Sequence, residues 1–124
     1  MNTSRFLRAY WPAVLWGIFI LIATLLPGKS IPSVSLFRFD KLIHAFIFGV
    51  FAALCLYGLH KYKESVTFKE WLFIGLFTII WSVSIEGMQS LIPDRSADLY
   101  DVIANTVGVL IAQVVSYFYF FVRK

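Results

Sequence analysis

The chain has 124 residues, of which 60% are hydrophobic, 19% aromatic and 15% charged, and its mean hydropathy is +0.79. A soluble domain is about half apolar and about a quarter charged, and at this size much of its surface stays wet, so an ordinary soluble enzyme and a disordered chain are excluded. A nucleic-acid-binding domain is excluded too, because the bases behind the net charge of +4 are scattered and form no stripe.

In chain order, residues 9–28 carry no charge, and residues 42–60 are interrupted chiefly by His44. Residues 71–93 are apolar apart from Glu86 and Gln89, and residues 102–122 are again uncharged. Each run is close to the roughly 20 residues a helix needs to cross a bilayer. Backbone groups in lipid must bond internally, so such runs form helices. Barrel strands would alternate in polarity, and these runs do not. The expected fold is therefore all-α, a polytopic four-transmembrane-helix bundle forming a single domain over 1–124. Its helices are expected at about 10–27, 41–60, 70–92 and 98–122. The first run is read as an uncleaved anchor, since no small-residue cleavage site stands out near Pro27. Residues 23–30 fit a loose phosphate-loop string, but they close a membrane helix instead of joining a strand to a helix, so that reading fails. Residues 31–39 mix prolines and serines with large apolar side chains, as a segment lying in the interface would. The lone Cys55 excludes a disulfide within the chain and a cysteine metal cluster.

Lys and Arg in short flanks set the direction of insertion. Arg5, Arg8, Lys61, Lys63, Lys69, Arg123 and Lys124 fall on one side; Lys29, Arg38, Lys41 and Arg95 fall on the other. Both termini are therefore expected in the cytoplasm (N-in/C-in). The connector over residues 60–70 reads as a solvated loop on that side.

Under this topology the acids Asp40, Glu86, Asp94, Asp98 and Asp101 collect at the external ends of the helices. Helical spacing sharpens the picture. Asp40 and His44 share a face, as do Glu86 and Gln89, and so do Asp98, Asp101 and Asn105. That last face continues through Gly108 and Ala112, small residues that let membrane helices approach closely. Glu86, Asp101, His44 and Asn105 lie about a turn inside apolar sequence, where ionisable and polar groups are costly and face a partner or a cavity. The simplest structural role for them is an ion pair that holds the bundle together, Glu86 with Arg95 or Asp101 with Lys41. The functional role is an outward-facing polar pocket. In it His44, Glu86, Asp101 and Asp98 are the candidate acid–base groups, and Lys41 and Arg95 the candidate phosphate holders. Gln89, Asn105, Asp40 and Ser96 complete the candidate binding set. A His beside carboxylates could also hold a divalent cation, although spacing alone identifies no metal site or cofactor. Residues 39–44 and 100–105 open two helices with related patterns, the mark of a duplicated helix hairpin about an axis along the membrane normal.

In order, Asp40-Lys41-x-x-His44, Glu86-x-x-Gln89 and Arg95-x-x-Asp98-x-x-Asp101-x-x-x-Asn105-x-x-Gly108 resemble the VanZ-like family. The resemblance implies a bacterial integral membrane protein of the cell envelope. The family's founding member is an accessory resistance protein associated with reduced susceptibility to the glycopeptide teicoplanin. The resemblance supplies no reaction, substrate or cofactor.

Three functions fit the residues. The first is binding of, or chemistry on, a lipid-linked or cell-envelope group at the external face. The second is a non-catalytic envelope binding or accessory role. The third is a small transporter or channel subunit; it ranks last because the cytoplasmic halves of the helices read as nearly all apolar, and polarity at one end makes a pocket and no pore. The partners expected are the lipid bilayer and an external lipid-linked ligand, with no nucleic acid. Oligomeric state is not legible from these residues.

Overall fold

The computed structural model describes residues 3–25, 40–63, 65–92 and 99–123. Helix α1 spans Thr3–Leu25, α2 Asp40–Tyr62, α3 Phe68–Gln89 and α4 Leu99–Tyr117, and α4 runs on into a π-helical turn at Phe118–Val122. All four are long and apolar enough to cross a membrane, and the described residues include no strand. Helix α1 begins at Thr3, earlier than the apolar run alone suggests, because polar residues such as Ser4, Arg5 and Arg8 extend a helix into the interface. The connector between α2 and α3 is correspondingly short. His60, Lys61 and Tyr62 end α2, and Phe68, Lys69 and Glu70 open α3.

The start of α3 is set by its own chemistry. Thr67 is extended at the N-cap, and its hydroxyl accepts from the Glu70 backbone N–H at 3.2 Å while the Glu70 carboxylate accepts from the Thr67 N–H at 2.9 Å. This reciprocal capping box satisfies two of the donors a helix start leaves open. Glu70 also pairs with Lys63 across the connector.

The central pair is α2 against α4, with α1 packed on α2 and α3 on α4; α3 also reaches α2 and α1. Glycine decides the central contact. A Cβ on Gly108 would lie 2.0 Å from the Ala45 carbonyl oxygen, and one on Gly49 would lie 3.1 Å from the Gly108 carbonyl oxygen. Without side chains the two backbones touch, as small residues allow in lipid. Gly58 likewise receives Tyr10, and Gly75 receives Gln113. Gly87 has open space beside it and is no helix contact. Two tryptophans tie the flanking helices to the centre: Trp16 Nε1 donates to the Ile47 carbonyl at 2.9 Å, and Trp71 Nε1 donates to the Gln113 carbonyl at 3.2 Å and to Ser116 Oγ at 3.0 Å.

The core is small. Ile20, Phe48, Phe51, Leu56, Ile85 and Val109 are buried in it. Large apolar side chains such as Phe46, Ile80 and Val115 instead face outward, each more than 60% exposed. That arrangement would be untenable in water and is what lipid requires.

Candidate functional site

The close crossing of α2 and α4 positions the polar groups above it. His44 precedes Ala45, whose carbonyl abuts Gly108, and Asn105 lies one turn before Gly108 on α4. The result is that His44 Nδ1 donates to Asn105 Oδ1 at 3.1 Å. On its other edge His44 Nε2 lies 3.7 Å from Asp101 Oδ2. The Lys41 ammonium donates to Asp101 Oδ1. One carboxylate thus serves two bases from the neighbouring helix, each of its oxygens facing one of them. The cluster is graded in depth: Asn105 is 1% exposed, the side chains of Asp101 and His44 are 13% and 15% exposed, and that of Lys41 is 42% exposed. An imidazole, a carboxylate and an amide are held inside, and the lysine side chain forms the exposed edge of the cluster.

A second polar group occupies the same end of α3. Glu86 and Gln89 are both buried, and Gln89 Nε2 donates to the Thr24 carbonyl of α1 at 2.8 Å. Thr24 Oγ1 in turn donates to the Ile20 carbonyl. The Gln89 amide therefore closes the last turn of α1, whose terminal carbonyls lack helical partners.

Of the residues expected at the site, Lys41, His44, Asp101 and Asn105 come together, and Glu86 and Gln89 are buried on the adjoining helix. Arg95, Ser96 and Asp98 lie outside the described residues, and so does the side chain of Asp40, which opens α2. Lys41 with Asp101 is the bundle-holding ion pair expected as the structural alternative, and it is formed. Among the described residues no three His, Cys, Asp or Glu side chains converge to hold a metal ion. A groove of about 920 Å³ between α2 and α4 and one of about 450 Å³ between α1 and α3 are both apolar. Neither is lined by Lys41, His44, Asp101 or Glu86.

Sequence reasoning missed Thr24, Thr78, Ser82 and Gln113, all buried. The signal was present for α3. Thr78 and Ser82 precede Glu86 at intervals of four, on the stripe that leads to it.

Residues 3–121 match the VanZ/LLP1 family. The chain belongs to that family. No curated protein and no solved structure matches it. This VanZ/LLP1 protein has four helices apolar enough to sit in a bilayer, consistent with a multi-pass membrane protein. The family match covers all the described helices, and it includes the segments that carry Arg95, Ser96 and Asp98.

Proposed function

We propose that this VanZ/LLP1 protein, as a single transmembrane domain inserted N-in/C-in in a bacterial cytoplasmic membrane, binds a lipid-linked or cell-envelope anionic group at its external face. The observation that carries the reading is the Lys41–Asp101–His44–Asn105 cluster. It spends four polar side chains on the α2–α4 contact, where four apolar ones would pack as well, and it leaves the Lys41 side chain 42% exposed. Arg95, Ser96, Asp98 and Asp40, near these residues in sequence, are the second base, the hydroxyl and the further acids that the proposed pocket calls for. A phosphate is the natural ligand for two bases at a membrane surface. In this reading Lys41 exchanges part of its bond to Asp101 for the ligand, and His44 is kept oriented by Asn105.

Binding without turnover is favoured over catalysis by the His44 geometry. Both ring nitrogens already face acceptors, Asn105 Oδ1 and Asp101 Oδ2, whereas a general base would need one nitrogen presented to substrate. Glu86 remains the candidate acid–base group should turnover be found. By family, a link to glycopeptide (teicoplanin) susceptibility belongs to the same proposal.

Detergent-solubilised protein titrated with a polyprenyl phosphate should bind it, and Lys41→Ala and Asp101→Asn should each weaken binding about tenfold, which is about 1.4 kcal/mol. Equal affinity of both variants with the wild type would refute the assignment. Expression in a teicoplanin-susceptible host should lower susceptibility with the wild type and not with Asp101→Asn; no change with either removes the antibiotic link.

A further inference from the structure

The buried stripe of α3 is polar over most of its length. Thr78, Ser82, Glu86 and Gln89 fall on one face and are buried, and Gly75 below them packs on Gln113 of α4. Gln113 is itself buried and donates through Nε2 to the Trp71 carbonyl at 3.1 Å, and Ser116 Oγ donates to the Gln113 carbonyl at 3.0 Å. From Trp71 to Gln89 this series spans about 27 Å at 1.5 Å per residue, most of the roughly 30 Å of a hydrocarbon core. The inner half of the bundle is therefore not apolar inside, although its sequence reads so.

Two atoms in the series lack partners. Ser82 Oγ and Gln113 Oε1 are buried without a hydrogen bond among the described residues, and Ser82 is 0% exposed. A buried hydroxyl left so is destabilising, and buried water normally satisfies such groups. Thr78 Oγ1 donates to the Ile74 and Gly75 carbonyls at 3.0 Å, which leaves its lone pairs to accept. Ser82 stands one turn, about 6 Å of rise, from Thr78 and from Glu86. Two hydrogen-bonded waters in series span that separation, each O···O step being about 2.8 Å.

We propose that Gln113, Thr78, Ser82 and Glu86 form an internal water-binding file that relays protons along the bundle. In the step at its outer end, an O–H bond of the water next to Glu86 breaks as one forms on the Glu86 carboxylate. The proton that water has given up is replaced from the next oxygen toward Thr78 and Gln113. One proton is displaced, taken from bulk water at one end and returned at the other, and nothing is oxidised or reduced. The inference is independent of any external ligand.

Purified protein in liposomes with an internal pH dye, driven by a potassium potential with valinomycin, tests it. Wild-type vesicles should change pH at least fivefold faster than protein-free vesicles. Glu86→Gln, Ser82→Ala and Thr78→Val should each remove most of the excess, while Ser82→Thr, which keeps the hydroxyl, should retain it. Ser84→Ala is the control, since its hydroxyl bonds the Ile80 carbonyl on the exposed face, and it should keep the wild-type rate. Wild-type flux at the protein-free rate overturns the proposal. So does wild-type flux in both Ser82→Ala and Thr78→Val, or an equal loss in Ser84→Ala. Elution and melting profiles identify any variant that fails to fold, and Thr78→Val and Ser82→Thr still decide the question if Ser82→Ala is one.

Discussion

His44 is held between Asn105 on one edge and Asp101 on the other, and that arrangement depends on a residue with no side chain. Gly108 lets the α4 backbone rest on the Ala45 carbonyl, which brings Asn105 within bonding distance of the imidazole. Gly108→Ala places a methyl 2.0 Å from that carbonyl oxygen, and neither backbone can give way locally. The helices must part, at a cost of about 1–3 kcal/mol, as for other overpacked sites. A lower melting temperature is expected in detergent, together with weaker ligand binding. Gly87→Ala is the opposite case. Nothing lies within 4 Å of the added carbon, and alanine favours the helix by up to about 1 kcal/mol, so its melting temperature should be unchanged or raised. Comparing the two melts separates close packing from helix propensity. Both glycines look alike in the sequence, and only the facing backbone tells them apart.

Among the elements, α3 carries the most local instruction and the largest surprise. Its capping box is a short-range device formed by Thr67 and Glu70 alone, and the acid at the first turn also suits the helix dipole. Thr67→Ala should destabilise the protein by about 0.5–2 kcal/mol and should leave ligand binding at the opposite end of the bundle unchanged, as thermal melts and a binding titration would show. The buried polar stripe on the same helix is a different matter. Thr78 and Ser82 are ordinary residues in an apolar run, since a single hydroxyl can bond its own helix. What gives them meaning is that the side facing the bundle is the one they occupy and that Gln113 arrives there from α4. Lipid is covered by the other side of α3, where Phe73 and Ile80 are exposed.

In the whole molecule, the related sequence patterns open the central pair, with 40–44 in α2 and 100–105 in α4. The matching positions His44 and Asn105 meet across it. Of the flanking helices, α1 bonds α2 through Trp16 and α3 bonds α4 through Trp71. Orientation is a property of this scale as well. Four crossings place both ends of the chain on one side, and the seven bases near those ends and in the connector at residues 60–70 predict that this side is the cytoplasm. In a background of Cys55→Ser, Leu91→Cys should react with an impermeant maleimide on intact cells, and Ser65→Cys only after permeabilisation. The reverse labelling would turn the proposed binding face inward.

The number of helices and the membrane as their solvent were legible in the sequence, because length and uninterrupted apolarity are properties of each segment by itself. The ionisable residues worth attention were legible for a related reason: a charge a turn inside an apolar run is conspicuous wherever the run packs. Asp101 with Lys41 could even be named as a pair, from the ends of α2 and α4. What only the tertiary structure decided was which groups share a partner and which side of each helix is inside. His44 joins Asp101 and Asn105 because two glycines on separate helices allow one crossing point. Thr78, Ser82 and Gln113 become a buried series because three separately unremarkable residues face the same interface. The acids Asp40, Glu86, Asp94, Asp98 and Asp101 marked one end of the bundle, and the uncharged polar residues, silent in the composition, mark its interior.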